Sequence, residues 1–169
     1  RTPNSWVRGT NTFLPKDIAV QWAAEVADGP NGFHSRACAT ARRYAYVLLQ
    51  SPVRPSVDAG RVGWVFYPLD HAAMLQAAQQ LLGEHDFTSF RAAECQAKSP
   101  VRVVHSVSVE RRGEVLLFDF HANAFLHHMI RNLVGSLVFV GKGRRPVGWM
   151  AELLAARNRT LAEIGRAHV

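Results

Sequence analysis

Apolar residues recur at spacings of three and four through Phe125, Leu126, Met129, Ile130, Leu133, Val134 and Leu137. That period predicts a helix over 123–135 with a broad buried face. Its polar insertions are His127, His128, Arg131 and Asn132. At a spacing of four, His127 shares a face with Arg131, and His128 with Asn132. A different period governs 41–50, where Tyr44, Tyr46 and Leu48 alternate with Arg43, Ala45, Val47 and Leu49. Apolar residues on both sides of the alternation predict a strand covered on both faces. Alternation returns in 101–111 and 114–122, joined at Arg112-Gly113, and predicts a hairpin. Asp70 is a good N-cap for a helix to Leu82, with Met74, Ala77, Ala78, Leu81 and Leu82 as its buried stripe and Gly83 at its end. Pro146 starts a last helix, through Arg157.

The remaining stretches are weaker. Residues 1–14 read as the tail of a helix and a loop. Residues 18–26 read as a strand, although alanine argues against it. A turn cluster follows at 28–32 and an irregular connector at 33–40. Residues 51–63 form a loop, 64–67 a short apolar run, and 86–91 a short aromatic segment. The order strand, strand, helix, hairpin, helix, helix is an α+β pattern on a largely antiparallel sheet.

The 169 residues suffice for one domain or two small ones with a sizeable core. No stretch approaches a membrane span, and no signal peptide marks export. Charge adds more. Seventeen arginines and three lysines against thirteen acidic residues give +7. Arginine binds phosphate through a planar fork, so this balance fits a polyanionic partner. A GC-rich genome would give the same bias without that function. Cys38 and Cys95 stand far apart, which fits neither a zinc knuckle nor a disulfide scaffold and agrees with a reducing cytoplasm.

Candidate chemistry narrows by what is missing. The chain has no Gly-x-Ser-x-Gly elbow, no His-Glu-x-x-His, no phosphate-binding loop and no dinucleotide fingerprint. Nucleotide cofactors are therefore not expected. On a helix His127 and His128 point about 100° apart, so no shared metal is expected either. What remains is a set of arginines interleaved with aromatics: Arg36, Arg42, Arg43, Tyr44, Tyr46 and Arg131. Such a set can stack an unpaired base and hold its phosphates, though tyrosines on a strand also serve as plain packing.

Three stretches sharpen this reading. They are residues 39–46 (Ala-Thr-Ala-Arg-Arg-Tyr-Ala-Tyr), 81–91 (Leu-Leu-Gly-Glu-His-Asp-Phe-Thr-Ser-Phe-Arg) and 123–136 (Asn-Ala-Phe-Leu-His-His-Met-Ile-Arg-Asn-Leu-Val-Gly-Ser). Together, in this order, they resemble the tRNA pseudouridine synthase A family. The resemblance extends from about Pro3 to Leu161, with Ala37-Cys38 departing from the family's Phe-Ser. It implies conversion of uridine to pseudouridine at positions 38 to 40 of the tRNA anticodon stem-loop, without a cofactor, in a homodimer. It implies a mixed, largely antiparallel sheet with helices on one face and an RNA cleft on the other. By the same resemblance Tyr44 stacks on the target base and Arg131 pairs with a catalytic aspartate. Leu126 lies near the flipped base, and Arg36, Arg42, Arg43, His127 and His128 face the RNA.

The family's aspartate sits in a Gly-Arg-Thr-Asp-Ala-Gly-Val-His motif, and no such motif occurs in this chain. The expectation is a C-terminal part of the enzyme that is inactive alone. Residues 1–32 would be the end of an N-terminal half with its linker, and 33–162 the C-terminal domain. Residues 163–169 match what a common sequencing adapter encodes in frame, so a non-native tail is expected there. A catalytically inactive RNA-binding module is the alternative.

Overall fold

The computed structural model describes residues 2–27, 29, 32–35 and 37–162; Arg36 and the tail at 163–169 lie outside the described residues. The chain divides into two compact units, Arg1–Ala39 and Thr40–Val169.

In the first unit, α1 (Pro3–Asn11) starts with proline in its first turn, where the missing N–H costs nothing. The Asn11 side chain then grips Val20. Its Nδ2 donates to the Val20 carbonyl at 2.8 Å, and its Oδ1 accepts from the Val20 N–H at 2.7 Å. The strand expected over 18–26 does not form. Strand formation needs a partner ladder, and among the described residues this segment has none. None of the described residues of this unit is buried.

The second unit is a five-stranded mixed sheet with a helix layer. Its elements are β1 (Arg42–Gln50), β2 (Gly63–Val65), α2 (His71–Gln79), β3 (Gly83–Asp86), β4 (Val101–Arg112), β5 (Val115–Ala122), α3 (Met129–Gly141) and α4 (Trp149–Ala156). A single 3₁₀ turn, Thr88–Phe90, follows β3. The strand order is β2-β1-β5-β4-β3, with β1 and β2 parallel and every other neighbour antiparallel. The expected α+β architecture is therefore present, with the hairpin β4–β5 at its centre. Its turn contains Gly113 at φ +61, a conformation that suits glycine. Asp70 caps α2 as expected, accepting from the Ala73 N–H at 2.9 Å.

One sheet face is apolar. Leu48, Val104, Val107, Val109, Leu116, Phe118 and Phe120 are buried there with Met74, Leu133, Leu137 and Met150 from the helices. The other face carries Arg43, Ala45, Ser106, Asp119 and His121 and stays open. This corrects the expectation that 41–50 is covered on both sides. Two further corrections concern element boundaries. β3 takes the place of a plain helix end at Gly83, and the helix expected over 123–135 begins only at Met129.

The late start has a local cause. The Asn123 carboxamide accepts from the Val103 N–H at 3.1 Å and the Ala124 N–H at 2.7 Å, which holds the chain in a turn. Further on, the His127 carbonyl accepts from the Ala92 N–H at 3.0 Å. His128 then sits at φ +59, in the left-handed region. Only after it can α3 begin.

Candidate nucleic-acid interface

Antiparallel partners directly opposite one another share a face. Tyr44 pairs with Phe120 and Tyr46 with Phe118, so both tyrosines lie on the helix side of the sheet, and not on the opposite face where the resemblance puts the RNA cleft. The helix layer ends before it reaches Tyr44. Tyr46 is packed against the core, its ring edge-on to Phe118 with centroids 6.5 Å apart. Tyr44 is 50% exposed and rests edge-on against Phe125, at 5.2 Å and 81°. An aromatic face held by one neighbour and open on the other side is a platform for a flat ligand.

Arg131 lies in the first turn of α3, exposed to solvent. Among the described residues its guanidinium has no hydrogen bond or ion pair. Burial pushes the Tyr46 phenol above its ordinary pKa, and the charge of Arg131 works against that rise. The arginine is thus close enough to Tyr46 to be felt there. An unpaired cation and the positive end of α3, whose first turn carries no acidic residue, together favour an anion. Space beside Tyr46 is tight. A Cβ on Gly63 would come 2.8 Å from the Tyr46 hydroxyl, so only glycine fits there without displacing the ring.

The basic residues of β1 separate by strand alternation. Arg42 is opposite buried Ala122, and Arg43 is opposite His121 on the open face. Arg43 Nε donates to both Asp119 oxygens, at 2.9 and 3.0 Å, and this carboxylate holds the guanidinium more firmly protonated. Arg42, Arg43, Ala41, Ser106 and His121 line an open pocket of about 430 Å³ at this end of the sheet.

The other expected contacts are placed differently. Leu126 is only 4% exposed and belongs to the core. It offers little surface of its own to a ligand. His127 and His128 are exposed and precede α3, so neither shares a helix face with Arg131 or Asn132. Their rings approach to 4.0 Å between centroids. The helical ground for excluding a shared metal therefore falls away. Arg36 lies outside the described residues.

The 81–91 stretch has no role that its sequence alone suggests, and the structure supplies one. Buried Asn132 donates from Nδ2 to the Phe90 carbonyl at 2.8 Å. Buried Ser89 donates to the Leu153 carbonyl and accepts from the Asn158 N–H at 2.9 Å. The 3₁₀ turn is thus a staple that joins the start of α3 to α4. Phe125 is a further candidate residue that sequence reasoning misses, although it stands in the 123–136 stretch. Helical spacing assigns it to a core stripe, and only the tertiary contact with Tyr44 moves it to the site.

A sequence profile described as tRNA pseudouridine synthase matches residues 77–168, more than half of the chain. The chain belongs to the tRNA pseudouridine synthase family. Its curated relatives include the tRNA pseudouridine synthase A of Acidovorax sp. (strain JS42), 62% identical over 176 aligned positions. Those of Albidiferax ferrireducens and Aromatoleum aromaticum are each 60% identical, over 162 and 163 positions. Each comparison covers 96% of this chain but only 61–63% of the relative. The chain therefore spans about three-fifths of the length of these relatives. Among the described residues, no helix is long and apolar enough to cross a membrane.

Proposed function

We propose that the protein carrying this chain isomerises uridine to pseudouridine in tRNA, at positions 38 to 40 of the anticodon stem-loop, as a cytoplasmic homodimer. The observation that carries this reading is the unpaired Arg131 guanidinium at the start of α3, on the same sheet side as the half-exposed Tyr44. It is supported by relatives named tRNA pseudouridine synthase A.

The reaction breaks the bond from ribose C1′ to N1 and forms one to C5, while a proton leaves C5 and N1 gains one. Atoms and electrons balance within the substrate, so no external oxidant or reductant is required. A base must leave its stack to be turned, and the Tyr44 ring replaces the stacking it loses. Arg131 would meet a carboxylate and favour its ionised form, as a nucleophile or base requires. Arg42, Arg43, His127 and His128 would meet phosphates and sugar around the end of the sheet, with Arg43 shared between Asp119 and the RNA.

We read the carboxylate as distinct from the aspartates of the sheet and helix layer, each of which already has a partner. Asp70 caps α2, Asp86 accepts from the Thr88 N–H at 2.9 Å, and Asp119 is paired with Arg43. With no Gly-Arg-Thr-Asp motif in the sequence, residues 1–169 by themselves are expected to bind RNA without turning it over. In a full-length protein, Tyr44→Ala and Arg131→Ala should each lower turnover at least about 100-fold, measured by tritium release from C5-labelled tRNA. Binding of the tRNA should stay near wild type. Wild-type turnover in either variant would overturn these roles.

A further inference from the structure

A second cluster lies beside this site. The left-handed His128 reverses the usual divergence of adjacent side chains, and the His127 and His128 rings meet at 4.0 Å and 79°. The Ala92 N–H holds the His127 carbonyl at 3.0 Å, which ties the segment leading to Glu94 to the same place. The ligand atoms of Glu94, His127 and His128 all fall within 4.8 Å of one another. Two atoms bound at about 2.1 Å to a tetrahedral ion are about 3.4 Å apart. All three residues are exposed, which leaves their side chains room to close around an ion from the present spread. Among the described residues none of these three side chains has a hydrogen bond or ion pair to break.

We propose that Glu94, His127 and His128 form a binding site for one divalent transition-metal ion of the zinc class. Two imidazoles and a carboxylate are a borderline donor set that suits Zn²⁺ and disfavours Mg²⁺ or Ca²⁺. Three protein ligands leave a coordination position for water or another oxygen donor. The site stands independently of the RNA reading, because its ligands are recognised by their own chemistry. If both hold, the imidazole nitrogens cannot serve metal and RNA at once.

Calorimetric titration of the chelator-treated chain with ZnCl₂ tests this, in a Cys38→Ser background that removes the exposed thiol. One ion should bind per chain. His127→Ala and His128→Ala should each weaken binding at least about tenfold, and Glu94→Gln, a conservative change at an exposed position, should do so too. The rival histidine pair, His105 and His121, has rings 5.0 Å apart. His121→Ala should leave the affinity unchanged. No saturable binding at micromolar Zn²⁺ would overturn the proposal. So would stoichiometric binding that survives the double variant of His127 and His128, or that is lost with His121 instead. Far-ultraviolet circular dichroism on each variant confirms that a loss of binding is not a loss of fold.

Discussion

Trp22 and Phe118 are both large aromatics in stretches that read as strands. Trp22 is 77% exposed, while Phe118 is completely buried. The same contrast separates their regions. In the first unit Trp6, Phe13, Ile18, Trp22, Val26 and Phe33 are all more than half exposed. In the second, Phe87, Phe90, Phe118 and Phe120 have no exposed surface at all. Both regions carry large apolar side chains, and what separates them is partnership. β5 finds β1 on one side and β4 on the other, and its buried side chains share one core with those of α2 and α3. Residues 18–26 have no ladder partner among the described residues, and a lone strand leaves both its backbone groups and its side chains to water.

That contrast can be broken at three depths, each read from urea unfolding monitored by tryptophan fluorescence and circular dichroism. Phe118→Ala removes a ring from the centre of the helix-covered face and should cost about 3–5 kcal/mol. A cost below about 1 kcal/mol would mean that the core is not tightly packed around this ring. Asn132→Ala should cost about 1–3 kcal/mol, because it leaves the buried Phe90 carbonyl unsatisfied. Asn132→Asp, which lacks the donor, should cost at least as much. If alanine is silent there, the staple between α3 and the 3₁₀ turn contributes nothing to stability. Trp22→Ala should change stability by less than about 0.5 kcal/mol. A larger loss would show that Trp22 is covered in solution, and the distinction between the two regions would fail.

The fold of the second unit is largely legible in the sequence. The β4–β5 hairpin, the β1 strand and the capped α2 each follow from a local period with a local stop signal. β3 is not legible, because Gly83-Glu84-His85-Asp86 has no alternation and becomes a strand only by pairing with β4. The candidate site is legible as residue types and less so as geometry. Tyr44 and Tyr46 look alike in sequence, two apart on one strand. Only the end of the helix layer makes one a platform and the other a core residue.

Periodicity and capping chemistry determined which segments are helix and strand, since these depend on interactions within a few residues. Charge and motif order pointed to RNA. The tertiary structure alone decided that α3 starts at Met129. Its neighbours decide this: Val103 claims the Asn123 side chain, and Ala92 claims the His127 carbonyl. Contacts between segments distant in sequence also freed His127 and His128 from a helix face and set them against each other beside Glu94. No local pattern records such contacts, because the groups that make them are brought together only when the chain folds.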